Sequence, residues 1–543
     1  MRRGFGAGIA IGIWLGLGVT ALAQAPDASA QTPPVEVEPA QASEPSAGLE
    51  ARLAALEAES ARRDEQLAQA QARVAALEAA AAEEPEPAAP TGPTVRPLAY
   101  MMTRFEHREG YDALGSARAL QTSGCYGGTG ATPLLADSDC IHYRARVGLE
   151  ITNLAIGPDV SAIVRFLPQV AGTWAMTTIG LGSPGGVGAS SSGGTVDALL
   201  GLHEASLALQ LGTVVRAEVG RFEMGYGDAV VIGNLDWNPN ARAFDGARLH
   251  ITPQPSSWWI DAFWTLVNEG HAFSLTGAAT NLGFGQADQS FYGIYAGLGP
   301  LLDARPTTAL DVYALFRQTN NRTDVAAMAE REWSLRATIG ARLRYRVDIV
   351  DFRVEGAFQT GREGALRAVS GAFGSAQTVL AGFAIGEVGV WALEDRLRFA
   401  LEGNYGSGNA PCTGTGCTDS TQEAYDPLFP TAHAFLGYTD VMGQRTNSAS
   451  GVLHVSGRPL DTLTINLDWH VFVIPERAAG VAGNYAGQEG NLSLIWTPVP
   501  GLRGRAMYGV FLPDTAAWRP IGSATYTTQP VHFLEVELLY VIR

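Results

Sequence analysis

The chain has 543 residues, 17% of them charged, 64 glycines and a mean hydropathy of +0.04. Its formal charge of −17 is carried without any basic cluster on a helix-like stretch, which argues against a nucleic-acid partner. The length admits several soluble domains or one large barrel with an appendage, and after the first residues no apolar run approaches the roughly 18 that a spanning helix needs. All 37 basic residues are arginine, which we read as a compositional habit and not as a functional choice.

Met1 to Ala23 reads as a secretory signal peptide: Arg2 and Arg3 precede an apolar run through Ile9, Ile11, Ile13, Trp14 and Leu15, and Ala21-Leu22-Ala23 offers a cleavage site ahead of Pro26. A retained anchor is the alternative. Residues 24–48 form a Pro-, Ala- and Ser-rich leader without a core-forming pattern. Residues 49–84 turn helical, with Leu53, Leu56, Leu67, Val74 and Leu77 on heptad a and d positions interrupted by Ser60 and Arg63. That spacing predicts a short coiled coil able to join copies of the chain, or an isolated amphipathic helix. Residues 85–97 are a proline-rich linker.

From Leu98 to Arg543 the pattern is strand after strand, about eighteen in all. The longest-lived alternation runs from Trp333 to Gln359. Trp333, Leu335, Ala337, Ile339, Ala341, Leu343 and Tyr345 share one side, and Arg336, Thr338, Gly340, Arg342, Arg344 and Arg346 the other. After a tight turn at Val347 and Asp348, Phe352, Val354, Gly356 and Phe358 oppose Asp351, Arg353, Glu355 and Gln359. Strands of this length, apolar on one side and charged on the other, predict an antiparallel transmembrane β-barrel whose arginines face a wet lumen. Connections alternate in length, as an outer-membrane barrel requires: His107 to Cys140, Phe222 to Asp245 and Gly406 to Thr446 are long, whereas Gly212 and Thr213, Glu394 and Asp395, and Pro498 to Gly501 are short. Other short turns fall at Asn153 to Asp159 and Gly457 to Asp461. The last strand, His532 to Ile542, alternates Leu534, Val536, Leu538, Tyr540 and Ile542 with Phe533, Glu535 and Glu537, and suits closure onto the first. Trp258, Trp264, Trp333, Trp469 and Trp496 fall on lipid-side faces, several near strand ends. Gln377 to Trp391 is nearly apolar throughout, so alternation assigns it no faces.

Few residues offer chemistry. Cys125 and Cys140 lie in the first outer loop and Cys412 and Cys417 in the seventh, which in a secreted chain reads as two local disulfides; metal binding is the alternative. The nine histidines are scattered, and no nucleophile setting appears, so neither an enzyme nor a cofactor is expected. Arg216, Arg342, Arg344, Arg346, Arg353, Arg398, Arg503 and Arg505 project inward close to the short turns and predict a cationic belt at the inner mouth. Glu218, Asp351, Glu355 and Glu402 are interspersed. The belt is therefore either a salt-bridged lining or a selecting charge for an anionic solute.

Two outer-loop segments point to a family. Gly220-Arg221-Phe222-Glu223, Tyr226-Gly227-Asp228, Ile232-Gly233, Asp236-Trp237 and Arg242-Ala243-Phe244-Asp245-Gly246 form one. The run from Asp426-Pro427-Leu428-Phe429-Pro430 through Thr431-Ala432-His433-Ala434-Phe435, with Gly437-Tyr438 and Asp440, forms the other. Together they resemble the alginate-export porin family over about Val95 to Arg543. The resemblance implies an eighteen-stranded barrel in a Gram-negative outer membrane that passes anionic sugars or oligosaccharides without energy input. It also implies that Arg221, Glu223, Asp228, Asp236, Arg242 and Asp245 belong to the constriction or its support. A phosphate-type anion porin and a non-conducting adhesive barrel are the rivals.

Overall fold

The computed structural model describes residues 92–542 apart from 112–137, 174–178, 181–197, 239–240, 255–256, 269–288, 304, 306, 325–328, 368–374, 411–419, 432, 434, 478–480, 515–516 and 518–528. The signal peptide, the leader, the helix of residues 49–84, and Cys125, Cys412 and Cys417 all lie outside the described residues.

Period-two alternation is realised in long strands. The first nine are β1 Thr94–Glu109, β2 Ser138–Gly157, β3 Val160–Thr173, β4 Ala198–Leu211, β5 Val215–Phe222, β6 Phe244–Ile251, β7 Trp259–Asn268, β8 Gln289–Gly297 and β9 Ala309–Thr319. The other nine are β10 Ser334–Val347, β11 Val350–Glu363, β12 Gln377–Ala392, β13 Leu397–Gly406, β14 Ser448–Leu460, β15 Leu463–Val473, β16 Tyr485–Val499, β17 Leu502–Pro513 and β18 Val531–Ile542. Each pairs antiparallel with the next, and β18 closes on β1 through pairs from Ala99 with Ile542 to Glu109 with His532. No wall edge is left open to lipid, where unpaired backbone groups could not be satisfied.

The faces follow the expected alternation. On the β10–β11 hairpin Ile339 is 55% exposed and its neighbour Thr338 is 0% exposed, while Val354 and Phe358 point outward and Arg336, Arg342, Glu355 and Gln359 are buried inside. Trp264, Trp333, Trp469 and Trp496 are exposed on the outer surface, as is the outward row Val536, Leu538, Tyr540 and Ile542. β12, whose faces alternation left unassigned, turns Val379, Ala381, Phe383 and Ile385 inward and Leu380, Val388 and Val390 outward.

Three boundaries differ from the sequence expectation. The first strand starts at Thr94, within the expected linker. The turns expected at Asn153 to Asp159, Gly457 to Asp461 and Pro498 to Gly501 are shorter, because β2, β14 and β16 run on through register shifts. Such bulges insert a residue without ending the ladder, and Asn153 takes φ 57° at one of them. The hairpin turn falls at Asp348 and Ile349, between the paired Val347 and Val350, with Asp348 at φ 52°.

Candidate functional site

Two outer loops turn into the barrel. The third connects β5 to β6 and the seventh connects β13 to β14. From the third, Asp228 accepts from Nε and Nη2 of Arg342 on β10 at 2.9 and 2.6 Å and from Nη1 of Arg353 on β11 at 3.3 Å. A few residues later Asp236 accepts from Arg144 on β2 at 2.8 Å and from the Tyr100 hydroxyl on β1 at 3.1 Å. The next residue, Trp237, accepts from Arg104 on β1 through its carbonyl and donates its indole N–H to Glu535 on β18 at 2.9 Å. In a closed ring β1 and β10 stand on opposite sides, so the segment from Asp228 to Asp236 crosses the lumen.

The seventh loop crosses beside it. Asp426 takes the guanidinium of Arg317 on β9 and exchanges backbone hydrogen bonds with the Gln359 amide on β11 at 2.7 and 2.9 Å. Arg336 on β10 donates to the Ala424 carbonyl at 3.1 Å. On the far side Thr439 donates its N–H and hydroxyl to Glu489 on β16 at 3.0 and 2.6 Å, and Tyr111 at the end of β1 donates to its carbonyl at 2.7 Å. Midway the loops join: Phe429 N–H donates to Val231 O at 3.0 Å, Gly233 N–H to Phe429 O at 2.8 Å and Thr431 N–H to Ala229 O at 2.9 Å. A Cβ on Gly233 would stand 2.3 Å from Thr431 Oγ1, so this approach requires glycine.

Arg242 clamps the junction. It forms no ion pair among the described residues and instead donates Nη1 to the carbonyls of Gly233 at 2.9 Å, Phe429, and Pro430 at 3.3 Å. Beneath it lies an apolar cluster of loop residues Val230, Val231, Ile232 and Phe429 with inward Phe244 and Phe291. Each such side chain contributes about 1.5–3 kcal/mol when buried. Apolar burial thus supplies most of the docking, and the charged ends fix where each loop lands.

Charges within the third loop are tuned by this placement. Burial alone would raise the Glu223 carboxyl, but the His203 hydrogen bond and the charges of His203 and Arg146 bring it to about 2. For Asp228 the burial effect is likewise outweighed, by Arg342 and Arg353, and its pKa is lowered. Burial brings Arg242 down to about 10, which leaves it charged at neutral pH.

The expected belt is present as inward arginines but does not lie at one height. Arg342 and Arg353 reach the third loop and stand at the crossing instead of at the inner mouth, because Asp228 descends to meet them. Most of the rest are braced against carboxylates. Arg505 pairs with Glu535 and Glu537 at 2.7 and 3.1 Å, Arg503 with Glu537 at 3.1 Å, Arg398 with Glu387 at 2.5 Å and with Asp351, and Arg346 with Asp395 at 2.6 Å. Arg344 forms no such pair among the described residues and is exposed. In three of the pairs at the mouth the guanidinium is the more exposed partner, Arg96 against Glu150 (51% and 11%), Arg216 against Glu218 (34% and 4%) and Arg503 against Glu537 (38% and 2%), whereas Asp395 is more exposed than Arg346.

Arg221 and Asp245, expected at the constriction or its support, pair with each other at 3.0 Å where β5 ends and β6 begins, with Arg221 buried and Asp245 about half exposed. Glu223, the first residue past β5, is inside and meets His203 at 2.5 Å. Sequence reasoning missed Tyr100, Arg144, Arg317 and Glu489, which anchor the loops; their inward position in the alternation was the available signal.

Cys140 is disulfide-bonded. It lies with Glu106 and His142 in the only grouping of potential metal-ligand atoms among the described residues, but a sulfur held in a disulfide supplies no thiolate.

Comparison with known proteins adds a family. A family model described as alginate export matches residues 204–517. Among solved structures, OccK5 (OpdH) of Pseudomonas aeruginosa is similar at 10% identity and a TM-score of 0.49, covering 82% of this chain and 98% of its own. OccAB2 of Acinetobacter baumannii follows at 11% and 0.48, covering 82% and 97%, and OpdK of Pseudomonas aeruginosa at 9% and 0.49, covering 82% and 98%. No curated protein matches the chain.

Proposed function

Because the match over residues 204–517 spans more than half of its length, the chain belongs to the alginate-export family, and from that premise we propose that its lumen carries anionic sugars or oligosaccharides. The protein is an outer-membrane β-barrel channel of a Gram-negative bacterium for anionic substrates, with the family and fold of a transport protein. One observation carries the saccharide reading toward an electrostatic mechanism. At the inner mouth the guanidiniums of Arg96, Arg216 and Arg503 are more exposed than the carboxylates they pair with, and Arg344, which forms no ion pair among the described residues, is exposed as well. A solute entering there meets cationic groups first, and their charge lowers the entry barrier for an anion.

Asp228, Asp236, Arg242, Glu223 and Arg336 then act on the solute indirectly, by holding the crossed loops that narrow the path. Arg342 and Arg353 serve both roles, bracing Asp228 while lining the passage. Reversal potentials of the purified barrel in asymmetric salt test the proposal: anion preference is expected, and cation preference overturns it. Uronate oligomers that block the current better than phosphate support a saccharide solute; equal block favours a phosphate-type porin. The crossed lumen favours one further alternative, a barrel shut by its loops, whose signature is no conductance at all. Residues 49–84 would hold copies of the barrel together, and cross-linking that yields only monomers would remove that role.

A further inference from the structure

Below the third loop, on its inner side, lies a cavity of about 350 Å³ between β5, β6 and β7. That size falls at the lower end of the roughly 300–1,000 Å³ of small-ligand sites. Its lining combines an aromatic surface with hydrogen-bonding groups. Trp259, the first residue of β7, faces inward across from Gly297 on β8, and a Cβ at Gly297 would stand 2.4 Å from the indole ring. The indole therefore lies flat on a position that only glycine leaves open. Tyr295 and Tyr226 hold it in plane, with centroids 5.8 and 6.0 Å away and interplanar angles of 12° and 23°.

This tryptophan is unlike those of the outer surface. It sits on the water side of the wall, only partly buried, and its N–H donates to no protein group among the described residues. Around it the carboxylates are already engaged. Glu218 accepts from Arg248 at 2.6 Å, Ser206 at 2.8 Å and Arg216 at 3.3 Å, and Asp261 takes Tyr226 at 2.7 Å and His250 Nδ1 at 2.5 Å. Donors are left over: the Arg216 and His250 side chains are each about a third exposed, and of the His250 ring nitrogens only Nδ1 is engaged among the described residues. An apolar ring face beside spare donors fits a molecule that is apolar on its flat side and rich in acceptors at its edge.

We propose that this cavity is a saccharide subsite at the inner mouth, where a uronate ring lies on the free surface of Trp259 and its hydroxyl and carboxylate oxygens take the spare donors of Arg216 and His250. The subsite rests on the reading of the barrel as a saccharide channel and gives that reading a contact that charge alone does not supply. Inorganic anions engage the arginines without using Trp259.

The test measures current block and equilibrium binding by a uronate trisaccharide and by inorganic phosphate, on the full chain, with Trp259→Ala, Trp259→Phe and Gly297→Ala. Binding of the trisaccharide should fall at least tenfold in Trp259→Ala and in Gly297→Ala, whose new Cβ displaces the indole, while Trp259→Phe keeps most of the affinity. Phosphate block should be insensitive to all three. Trisaccharide affinity within twofold of the parent in both Trp259→Ala and Gly297→Ala overturns the subsite, as does phosphate block that tracks the same substitutions. Those results leave the channel reading standing, which falls separately if the parent barrel prefers cations.

Discussion

The outer and inner halves of the lumen are walled by the same strands and filled in opposite ways. In the outer half, Phe222, Phe244, Phe291 and Phe383 point inward, where an outer-membrane barrel is expected to be polar, because the third and seventh loops fold back to cover them. In the inner half the third loop reaches as far as Tyr226, which stacks on Trp259, and the inward positions around and beyond it carry Arg216, Arg398, Arg503 and Arg505 with their carboxylates. The side chain at an inward position thus reports what fills the lumen at its height. Apolar residues mark where the loops pack on the wall, buried arginines such as Arg104 and Arg144 mark where a loop is pinned, and exposed arginines mark where the wall meets water.

The strongest way to break this contrast is to empty the outer half. Phe429 is 6% exposed, packs edge-on against Phe244 and Phe291, and lies at the loop junction. Phe429→Ala should cost about 3–5 kcal/mol of loop docking. The wall does not depend on this residue, so the expected result is a large rise in single-channel conductance with an unchanged far-ultraviolet β signal. Unchanged conductance would mean that the loops are not what narrows the path.

A smaller disturbance comes from Asp228→Asn. It leaves Arg342 and Arg353 facing each other across a neutral amide, although Asp311, Glu387 and Glu402 still compensate them. Breaking a buried pair from one side costs about 3–5 kcal/mol, and the 21% exposure of Asp228 together with the remaining carboxylates should bring this nearer 2 kcal/mol. Intermediate conductance and more frequent opening events are expected in planar bilayers. Arg242→Met removes hydrogen bonds from a charged donor to loop carbonyls, each worth roughly 1.5–3 kcal/mol, and should act in the same direction as Asp228→Asn.

Acidification tests the same loop without mutation. The folded pKa of Glu223 is lowered to about 2 and that of Asp228 is lowered as well, against roughly 4 for free carboxylates. Groups depressed in this way contribute docking stability fully above their free pKa and lose it as pH falls toward the folded value. Conductance should therefore be flat from pH 7 to about pH 5 and should rise between about pH 4 and pH 2. Loosening on the alkaline side would contradict the assignment.

Much of this contrast was legible in the sequence on one side only. The inner half could be read because alternation of greasy and charged residues, as in Leu343 and Arg344 or Val536 and Glu537, separates lipid from water. The outer half could not, because its inward residues are apolar too: from Val379 to Gly386 β12 reads as one apolar run when Val379 and Phe383 pack under a loop while Leu380 meets lipid. The loop crossing was hidden for another reason. Phe429 and Ile232 are brought together by the closure of the barrel and not by any local pattern. The two motifs that carried the family resemblance mark both strands of that junction, and the paired Arg221 and Asp245 within the first of them sit at the very ends of wall strands.

The inner half offers the smallest and most selective probe. Arg344 is exposed and forms no ion pair among the described residues, so reversing it breaks none, unlike reversing Arg353 or Arg505, and its charge reaches only as far as Asp351, which holds Arg398. Arg344→Glu should leave conductance and barrel stability near those of the parent and shift the reversal potential toward cations by a few millivolts. The shift should be clear at 0.1 M salt, where the screening length is about 10 Å, and should fade at 1 M, where it is about 3 Å. A shift that persists at high salt would place Arg344 within contact distance of the permeating ion, at a true constriction, and would move the narrowest point from the crossed loops to the inner mouth.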